Sequence, residues 1–268
     1  MFPRTLFTAL AATALAFGSA TAAVAAPASN HVTHPQRDFM GSTIRAHEHV
    51  NPGSVHPNVD GLPGLDVSGY QPGIDWNSVK ANGAQFAYIK ATESTTYQSP
   101  EFSNQYTGSY NVGIIRGAYH FATPDTSSGA TQADYFADHG GGWSADGLTL
   151  PGMLDIEYNP YGATCYGLSQ GDMVNWIAGF LNEYANRTGR WATIYSTTDW
   201  WTTCTGNSPA FAGNDPLFVA NYNGTPNPLP AGWGTYTFWQ YADSGTFPGD
   251  QDVFNGTADR LLALANNG

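Results

Sequence analysis

The stretch Leu150-Pro151-Gly152-Met153-Leu154-Asp155-Ile156-Glu157-Tyr158 is an apolar run that ends in two carboxylates one residue apart. Side chains of a strand alternate between faces, so Asp155 and Glu157 point one way while Leu154 and Ile156 point the other. At a rise of ~3.3 Å per residue, the two acid Cα atoms stand roughly 6.6 Å apart. At that spacing each charge disturbs the other's ionisation, and the natural outcome is one acid and one base near neutrality. The bland alternative is a strand end whose acids merely face water, and only the surroundings decide between the two.

Those surroundings are regular. From Leu65 onward, short strand-like runs alternate with helical patterns, which predicts a mostly parallel sheet joined by crossovers. Strands are expected at 64–68, 86–90, 114–121, 150–158, 191–195, 217–222, 236–241 and 251–254. Asp75 is placed to cap a short helix. Ser169 and Asp172 resemble a capping pair for a helix whose buried stripe is Val174, Ile177, Leu181 and Tyr184, stopped near Gly189. A closing helix carries Leu261, Leu262 and Leu264.

In a parallel α/β barrel the C-terminal strand ends open onto one face, where ligands bind. The residues at these ends are Asp66, Lys90, Tyr119 with His120, Asp155 with Glu157, Tyr195, Asn221 with Tyr222, Gln240 with Tyr241, and Asp250 with Asp252. Carboxylates among Tyr, Trp, Asn and Gln, with few cations in reach, suit an uncharged, hydroxyl-rich ligand. Cleaving a glycosidic bond requires a proton donor and a second carboxylate flanking that bond, which Glu157 and Asp155 supply. The neighbouring charges of Asp155 and Asp66 are expected to hold up the pKa of Glu157.

Several residues admit plainer readings. His120, inside a strand and next to Phe121, is expected to be a hydrogen-bonded structural histidine. Lys90 is expected to pair with a site acid. Trp200 and Trp201 form either a sugar platform or part of the core.

The ends of the chain set its compartment. Arg4, the apolar run from Leu6 to Phe17 and Ala23-Val24-Ala25 predict a secretory signal over 1–25. Cutting it away moves the formal charge from −12 to −13, which argues against nucleic acid or an anionic membrane as partner. The next stretch, 26–62, holds five of the seven histidines, His31, His34, His47, His49 and His56. It has little apolar periodicity and is expected to be a flexible leader or pro-segment. Residues 63–268 suffice for one domain with one large core. In an exported chain the two cysteines, Cys165 and Cys204, are most simply one disulfide.

Taken together, the motifs resemble those of the Chalaropsis-type lysozymes of glycoside hydrolase family 25. The likeness runs over nearly the whole of the domain. It rests on Gly64-Leu65-Asp66-Val67-Ser68, Ile74-Asp75-Trp76, Phe86-Ala87-Tyr88-Ile89-Lys90-Ala91-Thr92-Glu93, Gly117-Ala118-Tyr119-His120-Phe121, the Asp155-Ile156-Glu157 run and Trp239-Gln240-Tyr241. It implies an irregular single-domain (β/α) barrel, TIM-like, with fewer helices than the regular eightfold form. The activity it implies is hydrolysis of the β-1,4 bond between N-acetylmuramic acid and N-acetylglucosamine in peptidoglycan by a secreted monomer, with no cofactor and no metal.

By the same resemblance Glu157 matches the proton donor and Asp155 its partner carboxylate. Asp66 and Asp250 match further site acids, with Asp252 as the fallback for Asp250. Tyr119 and Tyr195 match tyrosines near the cleaved bond. Tyr222, Lys90, Asn221 and Gln240 complete the expected substrate-binding set. Gly69-Tyr70-Gln71-Pro72 departs locally from the family pattern. The rival classes are a chitinase-like glycosidase, a non-catalytic wall-binding module and a metal-dependent amidase or deacetylase.

Overall fold

The computed structural model describes residues 32–48, 50 and 59–266. The expected signal segment and His31, His49 and His56 lie outside these. A five-residue helix, α1 (Ile44–Glu48), precedes the first strand, β1 (Leu62–Val67). There follow α2 (Trp76–Ala81), β2 (Phe86–Glu93), β3 (Tyr97–Gln98), α3 (Phe102–Asn111), β4 (Ile115–Phe121), α4 (Gly129–Phe136), β5 (Met153–Asp155), α5 (Gln170–Thr188), β6 (Thr193–Thr197), α6 (Thr198–Thr205), β7 (Leu217–Ala220), β8 (Phe238–Ala242), β9 (Asp250–Phe254) and α7 (Ala258–Asn266). The sheet order is β1-β9-β8-β7-β6-β5-β4-β2-β3, and an additional β1–β2 pairing closes eight strands into a barrel with β3 appended outside the ring.

The caps are those expected from the side chains. Asp75 accepts the N–H groups of Asn77 and Ser78, and Ser169 accepts that of Asp172. Helix α5 stops at Gly189, whose φ of 72° is the left-handed conformation that glycine adopts at little cost. Its buried face adds Met173, Trp176 and Phe180 to the expected Ile177, Leu181 and Tyr184, while Val174 is only partly buried.

Alternation along each strand divides the molecule. Inward-facing Phe86, Tyr88, Phe218, Phe238 and Phe254 fill the barrel, with ring centroids 4.9–6.0 Å apart. Gly64 stands directly opposite Phe86, and Gly117 opposite Tyr88. A Cβ on either glycine would lie 2.4 Å from the facing ring. The outward residues Leu65, Val67, Ala87 and Ile89 pack with Trp76 and Val79 of α2. Around β7 to β9 the outer face is Leu217, Val219, Trp239 and Val253, covered by Val59, Leu229, Trp233, Tyr236 and Tyr241. No helix lies between β7 and β8 or between β8 and β9, so this flank accounts for the irregularity of the barrel.

Two strands differ from the sequence expectation. Strand β9 runs antiparallel to both neighbours, pairing Asp66 with Asp250 and Gln240 with Asp252. The connection 243–249 is too short for a parallel crossover, which takes a dozen residues or more. Strand β5 is only three residues long, so Glu157 lies just beyond it.

The segment 32–48, part of the stretch expected to be flexible, is packed against the barrel. Met40 and Ile44 are fully buried in the main core cluster. Cys165 and Cys204 form a disulfide, tying the chain after β5 to α6. Among the described residues no helix is long and apolar enough to cross a membrane.

Candidate active site

One end of the barrel interior is lined by acids and amides rather than rings. On β1, β2, β5 and β8 the inward residues pass from Gly64, Tyr88, Met153 and Phe238 below to Asp66, Lys90, Asp155 and Gln240 above, with Glu157 following just beyond β5. Because β9 is antiparallel, its first residue, Asp250, reaches the same end at which the parallel strands finish. Asp66, Asp155, Glu157, Asp250 and Asp252 are all at most 2% exposed.

Gln240 holds the cluster together. Its amide oxygen accepts from Tyr195 Oη at 2.6 Å and Tyr222 Oη at 2.8 Å. Its amide nitrogen donates to Asp66 Oδ2 at 2.7 Å, Asp250 Oδ2 at 2.9 Å and the Met40 carbonyl at 3.2 Å. Two phenol donors on one side and two carboxylates on the other leave one sensible orientation for the amide. The sequence suggested a substrate-binding role for Gln240, but the geometry makes it a brace between strands.

Burial governs the protonation of these acids. It raises the pKa of Glu157 to about 8, against hydrogen bonds from the Gly41 N–H and Thr43 hydroxyl that pull it down, with Asp38 and Asp66 adding to the rise. Neighbouring charge, the expected main cause, is therefore secondary to loss of solvent. Burial raises Asp66 to about 8 also, opposed by Gln240. Asp155 is pushed well up by burial and then by the charge of Glu157, with Lys90 opposing. Neither oxygen of Asp155 has a hydrogen-bond partner among the described residues, nor does either oxygen of Asp252. Asp250 is raised by burial and next by Asp66. Such a group keeps some of its protons near neutrality, because simultaneous ionisation of buried neighbours is unfavourable.

The remaining candidates divide. Tyr119, Tyr195 and Tyr222 all point inward, with hydroxyls that burial keeps protonated. Lys90 pairs with Glu93 at 2.5 Å rather than with one of the expected site acids. Asn221 alternates outward and is the exception: its side chain accepts from the Asn223 N–H at 2.9 Å, within its own surface loop. Of the two acids on β9, Asp250 joins the Gln240 network and Asp252 does not.

His120 also faces outward, since Tyr119 faces in, and it bonds Thr92 Oγ1 at 2.8 Å and Gln132 Oε1 at 2.9 Å beneath α4 and α5. Burial lowers its pKa to about 4, so it is a neutral structural residue. Trp200 and Trp201 are fully buried core.

Glu93, Tyr161 and Tyr166 are further residues at this end of the barrel that lie outside the expected site set. Tyr161 Oη bonds Glu93 at 2.7 Å and also reaches Asp38. Tyr166, buried with a φ of 56°, lies within electrostatic reach of Glu157 and Asp155. Glu93 ends β2, and that position was the available signal. The two tyrosines lie in an irregular stretch without periodicity. Among the described residues no three His, Cys, Asp or Glu side chains are grouped so as to hold a metal ion.

Comparison with known proteins bears on this arrangement. The family description "Glycosyl hydrolases family 25" matches residues 65–250. Lysozyme M1 of Streptomyces globisporus is 49% identical, over 93% of this chain and 88% of that protein. The N,O-diacetylmuramidase of a Chalaropsis species is 47% identical, over 76% of this chain and 99% of the relative. Among solved structures, a muramidase from Acremonium alcalophilum is 60% identical with a TM-score of 0.76, covering 77% of this chain and all of that one.

Proposed function

Because the chain belongs to glycosyl hydrolase family 25, we propose that this glycoside hydrolase is an exported muramidase in which Glu157 donates the proton and Asp155 is the partner carboxylate. Its substrate is the β-1,4 bond from N-acetylmuramic acid to N-acetylglucosamine in peptidoglycan. The observation that carries the assignment is the convergence of Asp66, Asp155, Glu157 and Asp250 at one end of the barrel, where burial raises the pKa of every one of them.

Burial raises both Asp155 and Glu157, and the charge of Glu157 adds to the rise of Asp155, so the pair retains a proton near neutrality; the reaction places that proton on Glu157. Glu157 gives its proton to the bridging oxygen as the C1–O bond breaks. A 2-acetamido carbonyl oxygen of the sugar attacks C1 from the opposite face, while Asp155 accepts the acetamido N–H and steadies the positive charge that develops. Water, deprotonated by the now anionic Glu157, then attacks C1 and releases the acetamido oxygen, giving net retention. Asp155 suits the orienting role because its carboxylate carries no other hydrogen bond among the described residues. Gln240 fixes Asp66 and Asp250, and Tyr119, Tyr195 and Tyr222 line the sugar's path.

The test is Glu157→Gln, which keeps shape and removes the proton. Lysis of purified cell walls should fall by roughly 10²–10⁴-fold, the usual worth of a positioned acid, while wall binding and the melting temperature persist. Undiminished lysis would end the assignment of Glu157. NMR of wild-type digests in the first minutes should show the β-anomer; the α-anomer would replace the retaining route with direct attack by water. Chitin tested in parallel should yield few reducing ends compared with wall.

A further inference from the structure

The candidate cleft already has an occupant. The Gly41 N–H donates to Glu157 Oε1 at 2.6 Å and the Thr43 hydroxyl donates to Oε2 at 3.1 Å. Both oxygens of the proposed proton donor are thus engaged by the segment that precedes the barrel. The Met40 N–H reaches Tyr119 Oη at 3.4 Å, and the Met40 carbonyl accepts from Gln240 at 3.2 Å. Lys90 donates to the Pro35 carbonyl at 2.9 Å and to that of Asp38.

Further along, Arg45 grips Asp243, with one bond of 2.5 Å, and Tyr158 Oη donates to Glu48 at 2.7 Å. Met40 and Ile44 are fully buried. The fit at Gly41 is specific: its φ is +82°, and a Cβ there would lie 2.4 Å from Tyr222 Oη, 2.6 Å from Gln240 Oε1 and 2.9 Å from Tyr195 Oη. The backbone thereby comes within hydrogen-bond distance of Glu157 and of the Gln240 brace.

We propose that residues 34–48 form a built-in inhibitor, a pro-segment seated in the saccharide cleft, whose release by a cut between Glu48 and β1 switches the enzyme on. The inference rests on the cleft assigned above. A glycan strand cannot reach Glu157 while Met40, Gly41 and Thr43 stand on it. The tie between Glu48 and Leu62 keeps the inhibitor at a high effective concentration, of the order of millimolar for a short linker. Cutting it turns an intramolecular contact into one that dilution reverses. The contacts suit such a role, being mainly backbone groups and a few charged bonds around two apolar anchors.

The test compares the chain from Ala26, the same chain carrying Gly41→Val or Arg45→Ala, and a chain of residues 59–268. The last is a folding unit, since the whole of a solved relative corresponds to about three quarters of this chain. With the tethered segment at an effective concentration of about 1 mM and a peptide Ki of about 0.1 mM or lower, the short chain should lyse walls at least roughly tenfold faster than the long one. Each substitution should move the long chain toward the short one. A synthetic peptide of residues 32–48 should inhibit the short chain competitively, and the same peptide with Gly41→Val should not.

Equal rates for long and short chains, both folded by circular dichroism, would overturn the proposal. If neither chain lyses walls, the muramidase reading falls instead. Titration calorimetry of the peptide against the short chain then decides this one: binding that Gly41→Val abolishes sustains the seated segment, and no binding refutes it.

Discussion

Replacing Gln240 by Leu removes its four hydrogen bonds to other side chains, Tyr195, Tyr222, Asp66 and Asp250, at nearly constant volume, besides the bond to the Met40 carbonyl that the 59–268 chain lacks. Leaving a buried polar group unpaired costs about 1–3 kcal/mol, so four orphans set a ceiling of about 12 kcal/mol. The losses are not additive, because the freed tyrosine hydroxyls can turn to the freed carboxyls and these acids are already substantially protonated. A net destabilisation of about 3–5 kcal/mol is the expected result. At about 2–4 °C per kcal/mol for a domain of this size, that lowers the melting temperature by roughly 6–20 °C.

Differential scanning calorimetry of the 59–268 chain measures the shift without interference from the preceding segment. Wall lysis should also fall, chiefly in kcat, because Asp66 and Asp250 lose their fixed positions. Gln240→Glu separates bonding from packing: protonated, it offers one donor and one acceptor, so it should approach wild type in acid and fail in base. A Gln240→Leu protein melting within 1 °C of wild type (less than about 0.5 kcal/mol) with unchanged lysis would refute the bracing role.

Other outcomes follow from the same geometry. With the segment seated, burial holds Glu157 at about 8; once the cleft opens, water returns and that value drops but stays above the ~4.3 of a free Glu. Lysis by the 59–268 chain should therefore decline with rising pH through a midpoint between these values, and a pH–rate profile flat from 4 to about 9 would contradict the assignment of the acid. Stability has the same sign. Asp66 and Glu157 bind protons more tightly folded than unfolded, so their contribution is full below about pH 4 and is lost as pH rises through about 8; thermal melts of Asp66→Asn should show a shallower decline. A chelator should leave wall lysis unchanged, and loss of activity restored by a divalent cation would favour a metal-dependent hydrolase. Replacing both Cys165 and Cys204 with Ala should cost about 4 kcal/mol in the chain-entropy account, given their separation of 39 residues, and denaturant titration reads that directly.

The grouping of the candidate acids was legible because strand alternation is a rigid rule: Asp155 and Glu157 share one face, and the apolar Leu154 and Ile156 take the other. The same rule, applied to Tyr119 and His120, separates an inward phenol from an outward imidazole. Strand direction is not written in alternation, so the reversal of β9 is recoverable only from the shortness of the 243–249 connection. Residues 32–48 were the least legible part. Their hold on the barrel runs through the backbone of Met40 and Gly41 and through the isolated anchors Met40 and Ile44, none of which produces a periodic pattern. The unassigned tyrosines, Tyr161 and Tyr166, escape for the same reason.

The glycines opposite Phe86 and Tyr88 imply a trade of bulk between partners. Each ring takes the space that a side chain on the adjacent strand would otherwise occupy, so neither half of such a pair is free to change alone. Enlarging Gly64 or Gly117 becomes tolerable only when the facing aromatic shrinks by a similar volume. Substitutions at the bottom of the barrel are therefore expected to succeed in couples, and a library that varies one strand at a time will find that layer intolerant of change.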